Sequence, residues 1–404
     1  MAIDTNLQNL FKTLYPPGVP QNVVTRKRKW LKEIPKADDF DGKNMFIPVD
    51  YVNPQGRSAT FVTAQTQASG GSSQSIGWTL TRATDYADVI LSAETIRASR
   101  KDAGAFARMV KHESDMALDA LSESAAIALY GSGTGSCGRI ATSGGIAGAV
   151  ITLSQKHDVK NFHKGNILQV SSGDGTGGTR TGTVTIASVQ YGAGTITCTG
   201  NVTTGISLAV NGDYIYQNGD YNLKLAGLAG WLPLVAPTGG DSWFGTDRSV
   251  DPESLAGWRV NTPTLSIEEN FLTLGELIAF GGGEPDLALI NPTNYASLIK
   301  GLGSKVQYTA PGGTADIGFS GAVVHLSTGP VKVISDPECP GDRCYLLTSN
   351  TWLLHHLDEF PHVVMDDDNA MLRQSNADGV EIRFRYWANP ACTAPRRNGV
   401  AQLV

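Results

Sequence analysis

The side chains best suited to chemistry crowd together late in the chain, at His355, His356, Asp358, Glu359 and His362. Imidazoles and carboxylates at that density invite a metal, but their spacing departs from the H-E-x-x-H pattern that sets two histidines on one helical face. Trp352, Leu353, Leu354 and Phe360 around them suit ordinary packing, so no metal centre is expected here. Cys339 and Cys344 bracket Pro340-Gly341 and read as a turn between strands, because zinc needs two further ligands and there is no second cysteine pair. Asp366-Asp367-Asp368-Asn369 lacks the glycine and distal glutamate of an EF-hand loop and reads as a solvated acidic loop. The glycine runs 131–135 and 173–178 look like phosphate cradles. The first follows a helix and the second lies between β-runs without the lysine of a P-loop, so both read as turns. With no G-x-S-x-G elbow and no serine, histidine and acid that group, the expectation is a protein that is not an enzyme and uses no cofactor or metal.

What the elements carrying these residues are for must then come from composition and pattern. At 404 residues the chain is long enough for two or more units with their own cores. Hydrophobic residues make up 41% against 17% charged, with 46 glycines, which excludes a disordered chain and suits a surface covered by neighbours or given to β-structure. No apolar run reaches the ~18 residues of a membrane span, and the start has neither a basic nor an apolar leader region. Five scattered cysteines argue against a disulfide framework and for folding in a reducing bacterial cytoplasm.

Charge is unevenly spread. Residues 1–36 hold seven basic residues against Asp4 and Glu33, a net +5, which leaves −11 on the rest of a chain whose total is −6. An acidic body excludes a general nucleic-acid binder. The four adjacent cations Arg26, Lys27, Arg28 and Lys29 form the point of contact expected for a scaffold or DNA, with a solvated basic run beside Trp30 as the alternative.

Along the chain, residues 1–45 contain Pro16, Pro17, Pro20 and Pro35 and read as an extended arm. Two β-rich runs over 46–92 around the Gly/Ser-rich tip 68–75 predict an extended hairpin. Ile76, Trp78 and Leu80 form one apolar face that, with Phe61, is expected to rest on another subunit, since a two-stranded hairpin is marginal alone. Residues 102–130 predict a helix of about 43 Å, with Phe106, Val110, Ala117, Leu121, Ala125 and Ala128 as its apolar stripe. The alternating Thr-rich texture of 150–222 predicts an inserted small β-barrel or sandwich. Ser266 and Glu269 form an S-x-x-E capping box ahead of the stripe Ile267, Phe271, Leu274 and Ile278. Then comes G-G-G-E-P-D-L-A-L-I-N-P-T-N-Y, in which Pro285 sets an extended entry and Leu287–Ile290 suits a covered strand. Asn291 caps a helix whose first turn holds Pro292, and Tyr295 follows on its apolar side. Strands dominate to the end, with Ile382, Phe384 and Tyr386 alternating against Arg383 and Arg385.

This order, with Pro285-Asp286, Asn291-Pro292, Tyr295, the later Asp336-Pro337 turn, Trp231-Leu232-Pro233 and Asp247-Arg248-Ser249, resembles the major capsid proteins of tailed double-stranded DNA bacteriophages, whose fold is named for a Hong Kong coliphage. The resemblance covers nearly the whole chain. It implies an α+β fold with an N-terminal arm (1–45), an extended hairpin loop (46–92), a peripheral domain with its spine helix (93–149) and an inserted β-domain (150–222). An axial domain (223–345) and a C-terminal return to the peripheral domain (346–404) complete it. It also implies self-assembly into hexamers and pentamers of an icosahedral shell, made in the host cytoplasm and ending in the virion. The implied partners are a separate scaffold protein, a portal, a decoration protein and packaged DNA held without sequence preference, with no membrane. An encapsulin-type nanocompartment shell is the alternative within the fold, and a cytosolic hydrolase or metalloenzyme a remote one outside it.

Overall fold

A computed structural model describes residues 28–54, 56–69, 73–98, 103–302, 322–365, 371–374 and 377–403. The predicted long helix is Ala103–Ala128, and the glycine run beyond it closes the element as expected, with Gly133 and Gly135 in the left-handed region (φ +87 and +81). Leu121, Ala125 and Ala128 on it, and Leu129 just past its end, are buried. They lie over a five-stranded sheet in which Gly379–Cys392 pairs with Trp352–Val363, Leu372–Arg373 and Ala83–Ser92, while Lys36–Asp38 runs parallel to Trp352–Val363. Alternation fixes the register: Ile382, Phe384, Tyr386 and Ala388 point into the core. Each large apolar side chain buried there contributes about 1.5–3 kcal/mol.

A second, six-stranded sheet is ordered Trp258–Val260, Gly399–Gln402, Arg343–Leu347, Leu287–Ile290, Gly329–Ser335, Ala322–Leu326. Leu287–Ile290 is covered at every residue, as its unbroken apolar run predicts, and lies parallel to Gly329–Ser335 but antiparallel to Arg343–Leu347. One face packs on helix Ile267–Phe280 through Phe271, Leu274 and Ile278. The capping box at that helix is complete: the Glu269 amide donates to Ser266 Oγ at 3.2 Å and the Ser266 amide to Glu269 Oε2 at 2.8 Å. The other face, Leu287, Leu289, Tyr345 and Leu347, shares a core with the five-stranded sheet. The chain's last strand corrects the expected C-terminal return. Gly399–Gln402 completes this six-stranded sheet, beside Trp258–Val260 and Arg343–Leu347, and only the strands before it belong to the other.

The insertion is a barrel with its own core of Ile151, Val170, Ile186, Ile196 and Ile215 among others. Its strands run in the order Ser136–Arg139, Tyr214–Gln217, Ile167–Ser171, Val184–Gln190, Thr195–Cys198, Val150–Thr152, Ile146–Ala147. The bridge between Ile140 and Leu153, with the Ser154 amide on the Arg139 carbonyl at 2.8 Å, closes the sheet on itself. It therefore begins at Ser136 and not at 150, because Ser136–Arg139 is the partner of the last barrel strand. The two ends of the insertion meet. The Asn222 amide donates to the Thr134 carbonyl at 2.8 Å, and a Cβ at Gly135 would run into the carbonyl oxygen of Asp220.

Candidate assembly interface

The hairpin pairs Asn44–Val52 with Gln74–Thr81, placing Met45 opposite Leu80, Ile47 opposite Trp78 and Val49 opposite Ile76. Ala83–Ser92, read as part of it from sequence, is instead a strand of the five-stranded sheet, paired along its length with Gly379–Ala388. The apolar face is also corrected. Trp78 and Leu80 are fully buried in the chain's own core, with the Trp78 ring edge-on to Trp231 at 5.1 Å. A short hairpin of Ser242–Trp243 and Thr246–Asp247 clamps this base: the Thr79 amide donates to the Phe244 carbonyl and the Thr246 hydroxyl to that of Gly77, both at 2.9 Å. Ile76, half-buried, marks where cover runs out.

Beyond it the hairpin is uncovered. Between its strands sits helix Phe61–Ala68, which buries no residue and presents Phe61 and Val62 at 79% and 73% exposure. Phe46 on the adjoining strand is 66% exposed. Eight residues without tertiary packing make a marginal helix in water. Of the four predicted contacts, the structure therefore places Phe61 on a free apolar tip, Ile76 at its edge, and Trp78 and Leu80 at the root. Phe46 and Val62 were missed; the alternation through Phe46 was a usable signal, whereas Val62 had none.

The basic run divides in the same way. Arg26 and Lys27 lie outside the described residues. Arg28 is taken up within the chain, its guanidinium donating to the Asp119 carboxylate at 2.6 Å and the Asp119 carbonyl at 2.9 Å on the spine helix. Lys29 is exposed. Trp30 beside them is buried, edge-on to Trp352 at 6.2 Å.

The residues of the resemblance come together as a junction. Pro285 is buried, and Asp286 accepts from the Ser349 amide at 2.8 Å and from its hydroxyl. Asn291 accepts from the Thr293 amide at 3.1 Å, capping the helix that begins at Pro292 and carries half-buried Tyr295, and donates to the Cys339 carbonyl at 2.8 Å. Asp336, buried in the following turn, accepts from the Trp30 amide at 2.8 Å, the Tyr130 hydroxyl at 2.9 Å and the Glu338 amide at 3.2 Å. One carboxylate thus joins helix Lys29–Glu33, the end of the spine helix and the six-stranded sheet. Burial, followed by the Asp336 charge, pushes the Tyr130 phenol well above its ordinary value.

A cleft of about 520 Å³ lies between the spine helix, Ala83–Ser92 and the barrel. Inside it Lys224 bonds Asp85 at 2.6 Å, Ser124 at 2.9 Å and Asp220 at 3.1 Å. Burial opposes its charge, but Asp85 and Asp220 together hold the ammonium above the ordinary lysine range. That is a clamp between elements, and the cluster of histidines is likewise dispersed. His355 bonds Asp39 at 2.7 Å, while His356 and His362 turn to the backbone of Asp358 and Glu359. Among the described residues no three metal-binding side chains converge. Cys339 and Cys344 flank their turn fully buried, and burial lifts the Cys344 thiol to about 12.

Asp158 gives the molecule a pH signature. On the barrel's 3-10 turn Lys156–Asn161, it feels the charges of Lys160 on its own element and of Asp342 and Arg343 beside the six-stranded sheet, and it acts in turn on Cys137 in Ser136–Arg139. Burial pushes its carboxyl up to about 7. A raised carboxyl keeps its proton in the fold where the unfolded chain, titrating at about 4, has lost it. Stability therefore falls as pH rises from about 4 to about 7 and stays low above that. Asp158→Asn, which mimics the protonated group, should melt increasingly above wild type as pH goes from 5 to 8. An offset equal at both pH values counts against this account.

No family model matches the chain, and no curated protein does. Among solved structures it is similar to the cyanophage A-1(L) capsid asymmetric unit, with a TM-score of 0.52 and 11% identity over 97% of this chain and 96% of that one. It also aligns with a Mycobacterium phage Adephagia structure, at a TM-score of 0.47 and 10% identity over 99% of this chain and 97% of that one. A third likeness is to the holo-SrpI encapsulin complex from Synechococcus elongatus, at 0.46 and 10% over 98% and 94%. The cyanophage likeness establishes the architecture: this chain has the α+β fold of tailed-phage capsid proteins.

Proposed function

We propose that the chain is the major capsid protein of a tailed phage, self-assembling through hexamers and pentamers into the icosahedral head that encloses double-stranded DNA. The observation that carries this is the free hairpin tip. On a chain with this fold, Phe61 and Val62 are exposed on a helix that buries no residue of its own, and Phe46 is exposed nearer the root of the same hairpin. A neighbouring subunit that covers it gains about 25 cal/mol per Å². Arg26, Lys27 and Lys29 remain as the cations for a scaffold or packaged DNA, since Arg28 is held by Asp119. A separate scaffold, a portal and a decoration protein are the further partners of this reading, and the virion, filled after assembly in the host cytoplasm, its location.

Electron microscopy of the purified protein, with nuclease-protected DNA measured in particles from infected cells, tests the proposal. Closed shells with protected DNA are expected. Absence of shells sinks it, and shells filled with protein cargo favour a nanocompartment. Phe61→Asp sharpens the test: because Phe61 touches no core, the variant should melt within about 0.5 kcal/mol of wild type and yet fail to form shells. Normal shell yield would remove Phe61 from the interface.

A further inference from the structure

We propose that the inserted barrel is an intramolecular brace that locks the seam between the spine helix and the six-stranded sheet, with Lys160 as its positioning residue. The barrel is held at three separate places. Its stem, where Thr134 meets Asn222, sits just past the spine helix. A second contact returns to that helix itself, from His163 to the buried Glu123 at 3.1 Å. The third reaches across to the other sheet. Lys160 Nζ donates to the carbonyl oxygens of Pro337 and, at 3.3 Å, Cys339, and the His157 ring packs on Gly341, where a Cβ would come within 2.9 Å of it.

A body fixed at three such points resists rotation about any line through two of them, so the seam cannot open without breaking one contact. The turn that Lys160 grips is the one through which force would pass. Asp336 in it holds the Trp30 amide and the Tyr130 hydroxyl, its own amide bonds the Ile290 carbonyl at 2.9 Å, and Asn291 bonds the Cys339 carbonyl. The apolar core shared by the two sheets lacks direction and tolerates sliding. An ammonium on two turn carbonyls has direction and is charge-assisted.

Hydrogen exchange on the full-length protein tests the brace. In Lys160→Met, which keeps the stem length and removes the donor, the amides of Asp336 and Cys339 and those closing the spine helix at Leu129 and Tyr130 should exchange at least tenfold faster. The barrel amides of Arg180 and Ile186 should keep their protection, and Lys160→Arg should restore most of the lost protection at the seam. Unchanged exchange at the seam overturns the proposal. So does equal loss inside the barrel, which would make Lys160 a residue of the barrel's own fold.

Discussion

Trp78→Asp is expected to unfold the root of the hairpin, lowering stability by about 4 kcal/mol or more, before any question of assembly arises. The indole is fully buried against Trp231, the ring at the centre of a cluster, which lies 5.8 Å from Trp243 and 5.7 Å from Phe244. Truncating a buried Trp alone costs about 3–5 kcal/mol, and burial of a carboxylate in its place disfavours the charged form and adds to that loss. Trp78→Phe keeps most of the apolar volume and should lose about half as much. Denaturant titration of the unassembled chain measures the difference. A Trp78→Asp midpoint equal to wild type would mean that the ring belongs to an intersubunit contact after all. Set beside Phe61→Asp, the pair separates two roles on one hairpin: its root belongs to folding and its tip to association.

That separation shows what the sequence could and could not disclose. The alternation Ile76, Trp78, Leu80 announced an apolar face, but periodicity carries no information about what covers it, and the cover here comes from Trp231 and the 242–247 hairpin, some 150 residues later. Local signals were legible wherever the cause is local. The spine helix runs over Ala103–Ala128 within two residues of its predicted ends, the Ser266–Glu269 capping box closes as written, and Asn291 and Pro292 open a helix. Sheet membership was not, because it depends on pairing between distant segments. Gly399–Gln402 finds Trp258–Val260, and Ser136–Arg139 finds Tyr214–Gln217, with no apolar alternation in Ser136–Arg139 to mark it as a strand. Helix Phe61–Ala68 was read as part of a β-rich run because, lacking a buried face, it has no stripe to recognise. Asp336 was visible only as a turn; the donors that give it weight, Trp30 and Tyr130, lie 306 and 206 positions away.

Asp336→Ala should be as damaging as the loss of a large core side chain, although it removes only a carboxylate. Three donors converge on that group, the Trp30 amide, the Tyr130 hydroxyl and the Glu338 amide, and all three bonds lie inside the protein. Leaving a buried donor without an acceptor costs about 1–3 kcal/mol, so three of them make the expected loss about 3 kcal/mol or more, the lower end applying if water enters the space vacated. Asp336→Asn does not rescue it fully. The amide oxygen can take the place of Oδ2 and keep the Trp30 and Tyr130 donors, but its NH₂ group then confronts the Glu338 amide. Tyr130→Phe removes a single donor and its partner bond together and should cost about 1 kcal/mol. In the double variant Asp336→Ala, Tyr130→Phe, the second change should recover part of the loss, because it deletes a hydroxyl left buried without an acceptor. The position of the loss is as telling as its size. Exchange at the Trp30 amide should rise along with that of helix Lys29–Glu33, since this helix is tied to the rest of the chain through that bond, Trp30 packing and Arg28. Two results would refute the junction: a loss below about 1 kcal/mol, the size of one ordinary hydrogen bond, or a Trp30 amide as protected in Asp336→Ala as in wild type.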